Sequence, residues 1–574
     1  MHLAESGSVL FSPSDLVSFL ECRHASLLSR LALSAGTEKA KDDAGLELLQ
    51  KKGIEHERAY LGRLKGEGRR ILEIPDNIDT QARVECSLKA MREGADVIYQ
   101  AAFSSFSWIG YADFLIKSAR PSSLGDFSYE ALDTKLARNP DPKHIIQLCA
   151  YSDFLAQVQG FVPEQIHLFL GSGQKQSFKL ADFYAYYSLA RKRFDAFQEE
   201  CATITSHLDV ACPLPCGYCD LCSWRDMCAE RWEQEDHLCL VANIRRVQME
   251  KLQQFGLGTL EQLAAAPQTT RVPDMQLETF AVLRSQASLQ LRKRISGESR
   301  IELLPQEPAR GFTRLPRPDA GDLFFDMEGD PYYPDGLEYL FGVYCAQGKD
   351  YTYLPFWGHD HKEEQEAFNA FMAFVAERLS RYPKAHIYHY SHYEPTALKR
   401  LACRYAMHEE QLDNLLRQQK FVDLYKVVRE SMRVSEPGYS IKDLEVFYLP
   451  KRENVITSAS DSVVMYNRWR ELDDPSLLRE IANYNEVDCV STCKLREWLL
   501  KQRPAGTAWA GENEDVAPVS TERKPWEIEF EEYKERILAE SCGKEGDAFA
   551  TEGERSLLTH LLEGSRPSGN HLIG

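Results

Sequence analysis

GDLFFDMEGDPYYPDGLEYLFGVYCAQGKDYTYLPFW, residues 321–357, contains three β-type runs separated by glycine, proline and aspartate. The first run begins at Leu323 and ends at Asp326, and LEYLFGVYC and DYTYLPFW follow it. Runs rich in aromatic and β-branched residues between such turn formers are typical of strands. Because consecutive strands with short connections usually pair with each other, we expect a three-stranded meander here.

After the meander, the sequence predicts a helix, a fourth strand and a second helix. The apolar face of the first helix comprises Phe368, Phe371, Met372, Val375 and Leu379. Their spacing is that of an amphipathic helix. HIYHYS then predicts a strand, and a helix follows from Pro395. This order is that of a ribonuclease-H-like, mixed-sheet α/β domain, which we expect over residues 311–503.

Acidic residues in this region have the spacing of a metal site. Asp326 and Glu328 are two residues apart, so both carboxylates point to one face of a strand. Tyr484 and Asp488 are one helical turn apart, and Glu394 follows the fourth strand. Two divalent ions held by such a set can stabilise the attacking and leaving oxygens of phosphodiester hydrolysis. The tyrosine would position the water.

These residues resemble the three motifs of the DEDD exonucleases in their tyrosine variety, and the region resembles a YprB-type ribonuclease-H-like domain. The resemblance implies an exonuclease that runs from 3′ ends, with Asp326, Glu328 and Asp488 as metal ligands. Where the family has an aspartate in its second motif, this chain has Glu394. The ligand at this position therefore stays open between Glu394 and Asp423. SIKDLE is similar to a substrate-side segment of these exonucleases.

Four motifs nearer the N-terminus fit a separate nuclease chemistry. They are GIEHE with His56, GYAD with Asp113, DTK with Asp133 and Lys135, and QLCAY with Gln147 and Tyr151. The two aspartates offer the oxygen ligands that Mg²⁺ or Mn²⁺ prefers, and the histidine is a candidate further ligand. Lys135 shares a strand face with Asp133, where it would orient or deprotonate the attacking water. Gln147 and Tyr151 would hold the substrate strand.

These four motifs resemble the successive motifs of the RecB-like branch of the PD-(D/E)xK nucleases, which includes the CRISPR adaptation exonucleases. The resemblance implies a restriction-endonuclease-type α/β domain over residues 1–235. It also implies a preference for single-stranded DNA ends. Of the two centres, we expect activity at this one more than at the other.

Five of the fifteen cysteines lie in the range 212–228, which indicates a metal site rather than a disulfide framework. Cys219, Cys222 and Cys228, with the distant Cys22, resemble the ligands of the iron–sulfur subclass of these nucleases. That resemblance implies a structural [4Fe–4S] cluster that joins the two ends of the nuclease domain. Zinc uses the same thiolate ligands and stays open as the alternative. The roles of the other two cysteines in the range also stay open.

Two further segments complete the chain. Residues 236–310 are helical, and two helices around a Gly-Leu-Gly turn resemble a helix-hairpin-helix. Such a turn often grips the DNA backbone through its amides, but the segment fits an inter-domain connector equally well. PAGTAWAGENEDVAPVS predicts a linker, so we assign residues 504–574 to a linker and an acidic tail.

Composition agrees with a multidomain protein that acts on nucleic acid. The chain has 574 residues, 43% of them hydrophobic, which is enough for several cores. Its net charge of −19 excludes a surface that is basic throughout, but phosphate contact needs only a local basic stripe. No apolar run is long enough to cross a bilayer, and residues 1–19 lack the pattern of a signal peptide. We expect a soluble, cytoplasmic protein without membrane partners.

The order of the parts resembles one bacterial and archaeal family of RecB-like nucleases over about residues 8–500. The resemblance implies action on nucleic acid, on DNA more than RNA, in repair, recombination or anti-phage and CRISPR-type defence. Some relatives continue into a helicase, whereas no G-x-x-x-x-G-K-[ST] loop is present here. A helicase or defence-complex partner is therefore a hypothesis. The alternative is a nucleic-acid-binding scaffold with one active centre or none.

Overall fold

The computed structural model describes residues 1–3, 7–35, 44–452, 456 and 458–512. Residues up to Thr507 belong to one compact unit, and a second unit begins at Ala508. Most of the linker and acidic tail predicted over 504–574 therefore lies outside the described residues. Within the described ranges, no helix is both long enough and apolar enough to cross a membrane.

The N-terminal region is built on a six-stranded mixed sheet. Its elements are β1 (His2–Leu3), β2 (Val9–Leu10), α1 (Pro13–Glu21), α2 (Arg23–Ala35), α3 (Ala44–Gly66), β3 (Ile71–Glu73), α4 (Thr80–Arg92), β4 (Val97–Ser105), β5 (Trp108–Ser118), β6 (Ser128–Lys135), α5 (Pro142–Gln159), β7 (Gln165–Leu170), β8 (Lys175–Lys179), α6 (Ala181–Cys201) and α7 (Arg225–Gln234). The strand order is β3-β4-β5-β6-β7-β8. Strands β3 and β4 pair in parallel, as do β6 and β7, and the other pairs are antiparallel.

Alternation along β5 and β6 gives the sheet two different faces. Leu115 and Ala131 belong to the core that includes α5, whereas Phe114 and Leu132 belong to the core that includes α3. Side chains two residues apart share a strand face. The carboxylates of GYAD and DTK therefore point to the α5 side of the sheet.

Residues 236–310 form α8 (Arg246–Gln254), α9 (Leu260–Ala265), α10 (Leu277–Ser296) and β9 (Ile301–Leu303). The two helices predicted around Gly-Leu-Gly are α8 and α9. In the turn between them, the amides of Gly256, Leu257 and Gly258 donate to acceptors of the same hairpin at 2.8 to 3.0 Å. These three amides are therefore already engaged within the hairpin.

The C-terminal region is built on a second mixed sheet. Its elements are β10 (Leu323–Asp330), β11 (Leu337–Gln347), β12 (Asp350–Trp357), α11 (His361–Arg381), β13 (Ile387–His389), α12 (Tyr393–Tyr405), α13 (Glu409–Arg417), β14 (Phe421–Asp423), α14 (Leu424–Ser431), β15 (Met432–Val434), α15 (Ile441–Leu444), α16 (Ala459–Leu472) and α17 (Pro475–Gln502). The strand order is β12-β11-β10-β13-β14, with the first three strands antiparallel and the last two added in parallel. The predicted succession of three strands, a helix, a strand and a helix is confirmed.

Two element boundaries differ from the prediction. Strand β10 runs on to Asp330 instead of ending at Asp326, because β11 pairs along its whole length and places Gly342 opposite Asp326. Helix α12 begins at Tyr393, earlier than predicted, and so takes Glu394 into its first turn. Both shifts move candidate site residues onto regular secondary structure, where the backbone fixes their direction.

Candidate active sites

The first candidate site is a pair of aspartates, Asp133 buried and Asp113 half-buried, beside a lysine. Thr134 donates to Asp113 Oδ2 from its amide and from its hydroxyl, at 3.0 Å in each case. Lys135 Nζ lies 2.7 Å from Asp133 Oδ2, and the Asp133 side chain is only 1% exposed. The structure therefore brings Asp113, Asp133 and Lys135 together on one side of the sheet.

The two aspartates of this site hold their protons differently. Burial, and then the neighbouring Asp133, raises the pKa of Asp113 well above its usual value. Burial also acts to raise the pKa of Asp133, but the Lys135 charge and the hydrogen bonds from Asp113 and Lys135 together outweigh it, and the pKa ends lower than usual. One ammonium thus compensates one carboxylate of the pair, and a further cation would be needed to ionise both.

Helix α5 supplies the polar residues predicted for the substrate strand. The helix begins after Asp141, whose side chain accepts a hydrogen bond from the Lys143 amide. One turn further on, Gln147 Nε2 donates to Tyr151 OH at 3.0 Å. Burial, and then the charges of the two aspartates, raises the pKa of Tyr151. The phenol therefore stays protonated beside the carboxylates.

His56 is not brought into this group, although GIEHE lies on a helix as expected. Its ring stacks on Phe169 with centroids 5.3 Å apart, and its Nε2 lies 3.4 Å from Phe169 O. The next residue, Glu57, is close enough to raise the pKa of both Asp113 and Lys135. Sequence reasoning did not select Glu57. It is adjacent to His56 on α3, so its side chain points in a different direction around the helix.

A second residue that sequence reasoning missed is His144, on the first turn of α5. It is buried, and its Nδ1 atom has no hydrogen-bond partner among the described residues. Burial, and then the Lys135 ammonium, lowers its pKa to about 4. His144 is therefore a neutral imidazole beside the charged pair of Asp133 and Lys135.

The second candidate site gathers carboxylates from β10 and α17. Ligand oxygens of Asp326, Glu328 and Asp488 all lie within 4.8 Å of one another. In the part of the chain that the structure describes, this is the one group of three or more Asp, Glu, His or Cys residues with ligand atoms so close. The spacing on the strand and the α17 position place these three carboxylates together as expected.

Negative charge in this acidic cluster is only partly compensated. Burial, followed by Asp488 and Glu328, raises the pKa of Asp326 well above its usual value. Burial and Asp488 likewise raise the pKa of Glu328 to about 8. Burial raises the pKa of Asp488 as well, although Arg452 lies 2.6 Å from its Oδ1 and acts in the opposite direction. A divalent cation would relieve this repulsion.

Tyr484 lies beside the acidic cluster and is held by a lysine. Lys442 Nζ donates to Tyr484 OH at 3.0 Å and lies 5.1 Å from the centre of its ring. Burial, and then Asp488, raises the pKa of Tyr484. Because the hydroxyl stays protonated and accepts from Lys442, its own hydrogen is directed elsewhere.

The acidic cluster opens into a cavity of about 460 Å³ that Asp326, Glu328 and Glu394 line. Leu48 of α3 lines the same cavity, so the helix that carries GIEHE also borders the second site.

Residues 323–500 match the model of the RNase_H_2 family, in the RNase_H superfamily. No curated protein matches the chain. The matched segment contains β10, α12 and α17 up to residue 500, and therefore every residue of the acidic cluster. An RNase H-like domain suggests a nuclease-type hydrolase that binds nucleic acid, and such nucleases typically use Mg²⁺ or Mn²⁺.

Within the RNase H-like domain, Glu394 rather than Asp423 faces the cluster. Glu394 lines the cavity beside Asp326 and contributes to raising its pKa. Asp423 Oδ1 instead accepts from the amides of Ser391 and Tyr425, at 3.0 Å each. The Asp423 carboxylate thus caps α14 and ties down the turn before α12, which favours Glu394 as the fourth carboxylate.

Asn485 is a further residue of the RNase H-like domain that sequence reasoning missed. Its Nδ2 donates to Asp326 Oδ2 at 2.8 Å, and its Oδ1 accepts from the Tyr353 hydroxyl at 2.8 Å. It is fully buried. Asn485 lies between Tyr484 and Asp488 in the predicted motif, but the motif does not include an amide. Only the rotation of α17 directs the Asn485 side chain toward β10.

The cysteines of the two ends of the N-terminal region meet in space. Cys22, Cys222 and Cys228 pack around a small core that includes Trp224. Cys216 Sγ lies 3.9 Å from Cys219 Sγ. We call these five cysteines (22, 216, 219, 222 and 228) the cysteine cluster. Cys212 is not part of it and interacts with Glu235 instead. No three sulfurs of the described residues lie within 4.8 Å of one another.

Proposed function

We propose that this chain is a metal-dependent nuclease with two active centres that hydrolyses phosphodiester bonds, preferably of DNA and from strand ends. The observation that carries the proposal is the close set of Asp326, Glu328 and Asp488 oxygens inside the segment that matches an RNase H superfamily model. Glu328 is buried, Asp326 and Asp488 are half-buried, and carboxylates this close in such surroundings are costly unless a cation joins them.

The chemistry of the acidic cluster fits Mg²⁺ or Mn²⁺. Carboxylate oxygens are the ligands that these hard cations prefer, and Glu394 adds a fourth from the wall of the cavity. Bound there, such ions would lower the pKa of a water and offset the charge that develops on the phosphate. Asp326, Glu328 and Asp488 would hold the ions, with Glu394 completing the set.

The neighbours of the cluster would position the substrate and the water. Tyr484 accepts from Lys442, so its hydroxyl hydrogen can be donated to the attacking water or to a phosphate oxygen. Asn485 donates to Asp326 and thereby orients one ligand oxygen. These contacts give each side chain a direction before substrate arrives, which is what positional catalysis requires.

The first centre is proposed as a RecB-like PD-(D/E)xK site. Asp113 and Asp133 would hold a divalent ion. Helix α3 would contribute Glu57, since the His56 ring stacks on Phe169 instead. Lys135, 2.7 Å from Asp133, would orient or deprotonate the water. Gln147 and Tyr151 would hold the substrate strand beside it.

The cysteine cluster is proposed to hold a [4Fe–4S] cluster through Cys22, Cys219, Cys222 and Cys228. A zinc ion with Zn–S bonds of about 2.3 Å would draw four sulfurs to roughly 3.8 Å of one another. Cys216 Sγ and Cys219 Sγ, 3.9 Å apart, have about that spacing, but no three sulfurs of the described residues lie within 4.8 Å of one another. A larger cluster would span the wider set, and Zn²⁺ remains the alternative that iron analysis decides.

A second cavity, of about 730 Å³, adjoins the first and shares Tyr332 with it. It is lined by Tyr333, Arg470 and Arg138 but also by acidic residues such as Asp335. Aromatic faces and cations suit a single strand of nucleic acid. The mixed charge predicts weak binding that falls with salt. We propose that a strand reaches the acidic cluster along this cavity.

The biological setting follows from the proposed chemistry. A DNA-end nuclease of this kind would serve DNA repair, recombination or anti-phage and CRISPR-type defence, in the cytoplasm. We propose that a helicase or a defence complex supplies the unwound strand. Co-purification from the host tests the partner, and recovery of the chain alone after crosslinking counts against it.

The test compares four full-length proteins: the wild type, Lys135→Met, Asp326→Asn and the double variant. Each is assayed on end-labelled single- and double-stranded DNA and RNA, with Mg²⁺ and with Mn²⁺. Two active centres predict that each single variant loses part of the cleavage and the double variant loses all of it. If one substitution alone abolishes cleavage, only one centre is active. If neither changes it, neither centre is the source of the cleavage. A wild-type chain that binds nucleic acid without cleaving it would favour the nucleic-acid-binding scaffold.

A further inference from the structure

His389, the last residue of β13, lies beside Glu394. Its Nδ1 atom is 3.5 Å from Glu394 Oε2. Both side chains are almost fully buried, with 3% of each residue exposed. Neither atom makes a hydrogen bond within the described part of the chain.

Two unsatisfied polar atoms that face each other in a buried wall need a physical reason. Leaving a buried donor or acceptor without a partner costs about 1–3 kcal/mol. A displacement of a few tenths of an ångström would bring this pair to ordinary hydrogen-bond distance. The 3.5 Å distance therefore fits a Glu394 carboxylate that moves into hydrogen-bond distance of His389 when its other oxygen binds a cation.

We propose that His389 is a positioning residue for Glu394: its Nδ1–H would donate a hydrogen bond to Oε2 while the other carboxylate oxygen serves the cation site. This inference rests on the proposed function of the acidic cluster. Carboxylates and histidines that bind metal ions are commonly held by such a second partner, which fixes their orientation. No other role in the proposed chemistry uses His389.

The length of the Glu394 side chain is a reason for a positioning residue beside it. Glu394 has one methylene and one rotatable bond more than an aspartate would have, so its carboxylate needs more to fix it. The turn from His389 to Glu394 is itself constrained, because Ser391 has a positive φ of 82° and its amide donates to Asp423. The backbone thus fixes the position of the Glu394 Cα atom, and His389 would fix the position of its carboxylate.

The test measures Mn²⁺ binding by the paramagnetic resonance signal of the free ion. The full-length chain carries Asp113→Asn, so that the first centre contributes little. His389→Phe should raise the dissociation constant about 10- to 100-fold, the usual effect of losing such a partner. His389→Gln, which keeps an amide donor, should recover most of the affinity. His386→Phe, three residues earlier and also largely buried, is the matched control and should bind as the parent does.

A second measurement avoids substitution of the core. In the wild-type chain with ¹⁵N-labelled histidine, Mg²⁺ should move the Nδ1 resonance of His389 to the position of a hydrogen-bond donor. The signal is assigned by its loss in His389→Gln. This readout decides the matter if His389→Phe fails to fold.

The inference is overturned if His389→Phe binds Mn²⁺ like the parent, or if Mg²⁺ leaves the His389 resonance unchanged. Failure of the proposed function looks different. In that case Asp326→Asn also leaves Mn²⁺ binding unchanged, because the acidic cluster is then not a metal site at all.

Discussion

Gly342 and Asn485 lie so close that a Cβ atom at position 342 would come within 1.6 Å of Asn485 Oδ1. From this place Asn485 donates to Asp326 Oδ2 at 2.8 Å. A glycine on β11 is therefore what allows α17 to approach β10. The metal-binding geometry proposed here depends on that approach.

Gly342→Ala should damage both stability and activity. The new methyl must displace Asn485, and overpacking of this kind costs about 1–3 kcal/mol. Activity at the second centre should fall roughly 10-fold or more, as for other losses of a ligand-orienting partner. Urea unfolding and single-turnover cleavage measure the two effects.

The control for this substitution is Gly62→Ala, within α3. A Cβ atom there meets nothing within 4 Å, and alanine in a helix interior is favoured by about 0.5–1 kcal/mol over glycine. It should keep full activity and lose no stability. Wild-type behaviour of Gly342→Ala would contradict the role given to the Asn485 contact.

Stability without metal should fall as pH rises through the range set by Glu328. Its pKa is about 8 in the folded protein and about 4.3 in an unfolded chain. Between these values the folded state holds a proton that the unfolded state lacks, so the free energy of unfolding falls with pH. The slope from one such proton is at most about 1.4 kcal/mol per pH unit.

Glu328→Gln should flatten this dependence, since glutamine cannot ionise. Mg²⁺ requires the ionised carboxylates, so it should raise the melting temperature more near pH 8.5 than near pH 6, in keeping with that linkage. Calorimetry in EDTA and in Mg²⁺ measures both. The exposed Glu366→Gln is the control, and a wild-type slope in Glu328→Gln would refute the assignment.

Lys135→Met should destabilise the N-terminal region by about 3 kcal/mol or more, because it leaves Asp133 buried without its cation. Adding Asp133→Asn removes the stranded charge and should recover much of the loss. Denaturant unfolding in EDTA measures the cycle. Equal stability of the single and double variants would show that the 2.7 Å pair is not coupled.

The anaerobically purified protein should be brown, with a broad visible absorbance and about four irons per chain, as expected for one [4Fe–4S] cluster. Cys219→Ser and Cys22→Ser should remove the colour and the iron. Cys212→Ser, which alters a thiol set apart with Glu235, should keep both. A colourless wild type that contains zinc would replace the cluster with the zinc alternative.

Much of the second domain could be predicted because its signals are local. The strand and helix order follows from hydrophobic periods, and Asp326 and Glu328 share a face by alternation alone. The choice between Glu394 and Asp423 was not local. It depends on the amides of Ser391 and Tyr425 that occupy Asp423, and one of these lies 32 residues away.

The first site shows where pattern reading stops. GIEHE predicts a helix but does not say whether His56 or Glu57 faces the sheet, since adjacent residues differ by about 100° around a helix. In the structure, His56 contacts Phe169 on β7, and Glu57 lies close enough to raise the pKa of Asp113. The sequence motifs give this centre four concordant signals, whereas the ligand geometry favours the second centre.

The most direct test is anomalous diffraction from crystals of the full-length wild type soaked in Mn²⁺. The account predicts manganese peaks between the carboxylates of Asp326, Glu328 and Asp488, with Glu394 turned toward them. Crystals of Asp326→Asn should lack these peaks. A wild-type map with no manganese at the acidic cluster would contradict the central claim.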